Sequence, residues 1–121
     1  MVIGISGSRS ITAPIPDGIL PKTTTKIITG GANGIDRSAR EYAHKHHILI
    51  EEILPAYDLY GKNAPLIRND IIIQRSSAVF VFWDGKSRGS AYVIKKCKKL
   101  NVFCRVYLWN GKEFTEYEYE D

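Results

Sequence analysis

The sequence predicts an α/β domain of Rossmann-like, three-layer architecture: a mainly parallel sheet of about five strands with a C-terminal antiparallel edge hairpin. Three observations carry this reading. Short apolar, β-branched runs alternate with longer segments of helical period, the pattern of right-handed crossovers between parallel strands. The run "AVFVFW" at 78–83 has no polar alternation, as in a strand covered on both faces. In "LWNGKEF", Asn110-Gly111 is a strong two-residue hairpin signal between β-prone segments. A length of 121 residues suits one domain spanning 1–121.

The first strand is "VIGIS" (2–6), followed by a proline-bearing, poorly periodic stretch over 11–25 and a second strand, "KIIT" (26–29). A helix over about 34–46 places Ile35, Ala39, Tyr42, Ala43 and His46 on one face and leaves Arg37, Arg40, Glu41 and Lys45 in water. The strand "ILIEEI" (48–53) and a helix over about 63–76 lead to the strand at 78–83. A third helix, about 89–100, turns Ile94, Cys97, Ala91 and Leu100 inward, and "VFCRVYL" (102–108) is the last parallel strand before the returning edge segment over 110–119.

With 44% hydrophobic and 25% charged residues, the balance is that of a soluble globular chain. No apolar run is long enough to cross a bilayer, and the N-terminus reads as a strand rather than a signal peptide, so a cytoplasmic location with no membrane partner is expected. The formal charge of +4 permits a polyanionic partner. Much of it sits on Lys95, Lys96, Lys98 and Lys99, where a solvated helix face near the negative C-terminal end explains it, while the tail "EFTEYEYED" is acidic. Cys97 and Cys104 lack CxxC spacing and read as buried free thiols. In "HKHH", His44 and His47 read as exposed and His46 as partly buried; no metal pair and no cofactor motif is visible.

In a doubly wound sheet, ligands sit beyond the carboxyl ends of the strands, where helix N-termini point free N–H groups outward. The corners at those ends are therefore informative: "SGSRS" after the first strand, "TGGANGID" after the second and "WDGKSRGS" after the fourth. All three are rich in glycine and hydroxyls. Small residues let a ligand approach the backbone, amides with Ser8, Ser87 and Ser90 can bind phosphate oxygens, and Arg9 and Arg88 can add charge. Asp36 reads equally as a first-turn helix charge or as a ligand contact. GxGxxG is absent, and Glu51 and Glu52 fall mid-strand where a ribose-binding carboxylate belongs at a strand end, so NAD is not expected. Walker A spacing and a GxSxG elbow are absent too.

The stretches "GSRS", "TGGANGIDRSA", "PLIRNDIIIQRSSAVFVFWDGKSRGSA" and "NVFCRVY" resemble the SLOG superfamily, the Rossmann-like nucleotide-ligand fold shared by the LOG phosphoribohydrolases and the DNA-processing protein DprA. The resemblance covers nearly the whole chain and is nearest to the small stand-alone, YspA-like members. It implies binding of a nucleotide or nucleotide-derived small molecule, and a homodimer. In LOG hydrolases the strand-four corner is PGGxGTxxE; matching Gly89-Ser90 to its Gly-Thr puts Val93 in the place of the acting glutamate. Arg68 lies near the family's functional arginine, with Asp70 or Asp84 as substitutes for the missing acid. "GSR", "GGANGIDRSA" and "IRND" also resemble DprA, whose fold serves single-stranded DNA. Here Phe80 and Phe82 read as core, and Tyr57, Tyr60 and Trp83 as the stacking candidates.

The expected site thus takes Gly30, Gly31, Asn33, Gly34 and Asp36 as its central corner, flanked by Gly7, Ser8 and Arg9. Asp84, Gly85, Ser87, Arg88, Gly89 and Ser90 hold phosphate from the far side, Arg68 and Asn69 approach from a helix, and Tyr57 or Tyr60 covers a base. The leading expectation is a nucleotide binder acting as a sensor. The alternatives are an N-glycosidic or phosphate hydrolase in the same pocket and, third, a DprA-like single-stranded DNA-binding module.

Overall fold

The computed structural model describes residues 1–118, so the last residue of the expected 110–119 edge segment lies outside the described residues. Six strands, β1 (Val2–Gly7), β2 (Lys26–Thr29), β3 (Leu49–Glu52), β4 (Ala78–Trp83), β5 (Phe103–Trp109) and β6 (Phe114–Tyr117), form one sheet in the order β3-β2-β1-β4-β5-β6. All neighbours are parallel except β5 and β6. The chain walks outward from β1 through β2 to β3, then returns to the other side of β1 to lay down β4. The strand order therefore reverses between β1 and β4, and a crevice opens beyond their carboxyl ends.

The helices are α1 (Ile35–Lys45), the single turn α2 (Tyr57–Tyr60) running into a 3-10 turn (Gly61–Asn63), α3 (Ala64–Gln74) and α4 (Arg88–Leu100). One sheet face is covered by α1, through Ile35, Ala39, Tyr42 and Ala43, and by the irregular β1–β2 connection, which buries Ile11, Ile15 and Leu20. The other face packs Ile73 of α3 and Val93, Ile94 and Cys97 of α4 against Val79, Val81, Trp83 and Val106. Every residue of β4 is buried, which is why that run carries no polar alternation. No helix among the described residues is long and apolar enough to cross a membrane.

Several local expectations shift. β3 ends at Glu52, so Glu52 stands at a strand end and not in mid-strand. Leu100 is 43% exposed rather than inward, because it closes α4 beside the left-handed cap at Asn101. His46 caps α1 in the open, pairing with Asp17 at 2.8 Å and packing its ring at a tilt against Tyr42. Cys97 is buried and Cys104 half-buried, both as free thiols. The hairpin register pairs Trp109 with Phe114, which makes Gly111-Lys112 the central pair of the turn, one residue later than the Asn-Gly signal suggests. Gly111 takes φ 97°, and the Asn110 side chain accepts the N–H groups of Lys112 and Glu113 at 2.8 and 2.9 Å.

Candidate functional site

The corners after β1, β2 and β4 meet at the crevice by packing on one another. Ser8 N–H donates to the Phe82 carbonyl at 3.0 Å, and Ile35 N–H to the Ser8 carbonyl at 3.3 Å. Gly34 makes this approach feasible: it sits at φ 75°, and a Cβ there would come within 2.5 Å of the Ser8 and Arg9 carbonyl oxygens. A Cβ on Gly7 would strike the Phe82 carbonyl and Ile35. At these two positions the space a side chain would need is taken by the protein's own atoms and not by a ligand, a revision of the expectation that small residues there leave room for one.

Beside them, two charged side chains from different elements converge on Gly30. Asp36, in the first turn of α1, and Arg68, in α3, are 7% and 8% exposed. A Cβ on Gly30 would collide with the Arg68 guanidinium and approach Asp36 Oδ2 to 2.9 Å, so the two groups flank that glycine. Arg68 Nη1 donates to the Gly30 carbonyl at 2.7 Å and to that of Ile53 at 3.5 Å, and Nε donates to Asn69 Oδ1 at 2.9 Å. Asp36 Oδ2 accepts the Ala32 N–H at 3.1 Å. Burial raises the Asp36 carboxyl above its ordinary value, against the opposing pull of Thr29, Ala32 and Arg68. The same desolvation lowers Arg68, while Asp36 and Tyr57 favour its charge.

The β4 corner is held by a carboxylate of its own. Asp84 Oδ1 accepts the Lys86 and Ser87 amides, each at 2.8 Å, and Oδ2 accepts Ser10 Oγ–H at 2.8 Å. Burial acts to raise Asp84, but these bonds together with Ser8 outweigh it and hold the carboxyl below its ordinary value. Ser8 Oγ accepts the Asp84 amide at 2.9 Å and lies 3.0 Å from Ser87 Oγ, which donates to Ser90 Oγ at 2.8 Å. The Ser87 amide, expected to hold phosphate, is thus already engaged by Asp84, and the Asp84 amide by Ser8.

Two cavities open above this floor. One, of about 410 Å³, lies between the β1 and β4 corners and α3, and takes in Gly7, Ser8, Arg9, Asp36, Arg68, Asn69, Asp84, Ser87, Gly89 and Ser90. The other, of about 280 Å³, lies over the β2 corner and is lined by Gly30, Gly31, Asn33, Leu54, Pro55 and Tyr57. Arg9, Ala32 and Arg68 line both, so the two are lobes of one groove. No family model, curated protein or solved structure matches this chain. The groove is therefore interpreted from its own chemistry.

Most of the residues singled out from the sequence come together here. Gly34 lies beneath the groove as a packing contact, while Gly85 and Arg88 are exposed and line neither lobe. Trp83 is 9% exposed and donates its indole N–H to the Ser87 carbonyl, so it is no stacking platform. Tyr57 and Tyr60 are 55% and 47% exposed, and Tyr57 alone of the two lines a lobe. Asp70 accepts the Tyr92 hydroxyl at 2.8 Å and lines neither lobe. Glu51 is engaged by Arg75 at 2.6 and 2.7 Å and by Lys26 at 2.6 Å, whereas Glu52 turns Oε2 toward Gly31. Leu54 and Pro55 in the loop after β3, and Pro65 and Leu66 in the first turn of α3, are lining residues that the reading of the sequence did not single out, since an apolar residue looks the same whether it walls a pocket or not. Among the described residues, no group of three or more His, Cys, Asp or Glu could hold a metal ion.

Proposed function

We propose that this chain binds a nucleotide or nucleotide-derived small molecule in the two-lobed groove, as a SLOG-type ligand-binding domain. The observation that carries the reading is that Asp36 and Arg68, both nine-tenths buried, converge on Gly30 in the floor of a groove at the strand-order reversal. Charged side chains held out of water in a cleft are costly unless they serve a partner or each other. Arg9 and Arg68, at the waist, suit an anionic phosphate, the serine-rich lobe suits ribose hydroxyls, and Tyr57 with Leu54 and Pro55 offers an apolar wall to a base.

A thermal-shift screen against nucleoside mono-, di- and triphosphates, with mass spectrometry of whatever co-purifies, tests it. A hit should then be titrated by calorimetry. Arg9→Ala, at an exposed residue lining both lobes, and Asp36→Asn should each weaken it by about tenfold, the worth of one charge-assisted contact. Unchanged affinity in both variants, each folded by circular dichroism, would reduce the corners to architecture.

A hydrolytic reading of the same groove has one observation in its favour: the raised carboxyl of Asp36 beside Arg68, a pairing suited to general acid chemistry. Against it, Val93, matched to the LOG glutamate, is 2% exposed and packs against β4, out of the groove. Incubation with nucleoside monophosphates should release no free base above background. Release that disappears in Arg68→Ala would establish the hydrolase instead.

A further inference from the structure

On the α1 face of the sheet, the irregular β1–β2 connection stands where a crossover helix would otherwise lie. Its Ile11, Ile15 and Leu20 are buried, but at the start of β5, Phe103 remains 57% exposed. Between them is a cavity of about 650 Å³, walled by Ile19, Leu20 and Pro21 on one side and by Phe80 and Phe103 on the other, with Ala78 at its base. It lies at the amino ends of β4 and β5, the opposite end of the strands from the groove. Lys22 and Arg105 also line it. The Arg105 guanidinium lies 5.6 Å from the Phe103 ring centre and pairs with Glu116 at 3.3 Å, while Lys22 has no carboxylate partner among the described residues.

We propose that this cavity binds a small amphipathic anion, an aliphatic or aromatic carboxylate, with its apolar body between Leu20 and Phe103 and its head group at Lys22 and Arg105. Pockets for such ligands fall at roughly 300–1,000 Å³ and combine apolar walls with a few charged groups that fix orientation, as here. Two cations with a single paired carboxylate leave the lining net positive, which selects an anionic head over a neutral one. A nucleotide fits poorly, because these walls offer little to hydrogen-bond a base or a ribose.

The test is displacement of 8-anilinonaphthalene-1-sulfonate fluorescence from the full chain by decanoate, below its micellar concentration, with 1-decanol as the neutral control. Decanoate should displace the dye, decanol should do so at least about tenfold less well, and Lys22→Glu and Phe103→Ser should each weaken decanoate by about tenfold. Both substitutions fall at positions open to solvent at the cavity rim, and circular dichroism checks that each variant is folded. Nucleotides that bind the groove should leave the dye in place. Failure of decanoate to displace the dye, equal displacement by decanol, or indifference to both substitutions would overturn the proposal. So would a dimer, seen by sedimentation, that Phe103→Ser dissociates, since a second copy would then be what covers this face.

Discussion

Side by side under Gly30, Asp36 and Arg68 give the fold a measurable pH dependence. Because burial raises the Asp36 pKa, protonation favours the folded state: the contribution is complete below the unfolded pKa and is lost as pH rises through the folded one. Asp36→Asn does not titrate, so its stability relative to the natural chain should improve from about pH 4 to about pH 7 in urea melts. A flat difference would mean that Asp36 is solvated. Gly34→Ala should cost about 2 kcal/mol or more, since it forces an alanine to positive φ and presses its methyl against the Ser8 and Arg9 carbonyls. The sequence marked Asp36 and Arg68 separately, one by its place at a helix start and one by resemblance. Their convergence on Gly30 was invisible there, because no local pattern links residues that a crossover brings together.

Among the elements, those with strong period were legible and the punctuation between them less so. β1, β2 and β4 fall within a residue of their expected ends, because β-branched runs bounded by glycine or serine leave little choice. The β5–β6 turn moved by one residue because register is set by pairing along both strands, here Trp109 on Phe114, and not by the turn dipeptide alone. Gly111→Val should therefore cost about 1 kcal/mol through its positive φ, read as a lowered denaturation midpoint, whereas Asn110→Ala should remove two side-chain hydrogen bonds and leave the backbone register intact. In α4, Val93→Glu should destabilise the fold by several kcal/mol without creating a hydrolase, since position 93 faces a fully apolar layer.

At the scale of the whole molecule, the four lysines 95, 96, 98 and 99 occupy the second half of α4, while the groove gathers around that helix's first turn. Helical rise sets them about 8–14 Å along α4 from Ser90, and none of them lines either lobe, so these cations do not frame the groove. Single-stranded DNA should consequently bind weakly and be released near physiological salt, whereas tight, salt-resistant binding would revive the DNA reading. The central place of β1 also governs when the chain can acquire its structure. Ile3 lies opposite Ala78 and Gly7 opposite Phe82, so β1 waits for β4 before its second edge is satisfied. Loop closure over so long a separation slows folding relative to helical bundles of similar length. On the ribosome, a nascent chain stalled after Arg75 should therefore remain sensitive to protease, and protection should arise only once β4 has emerged. The strand whose corner packs against those of β2 and β4 is thus made before the rest of its sheet and is among the last to be secured.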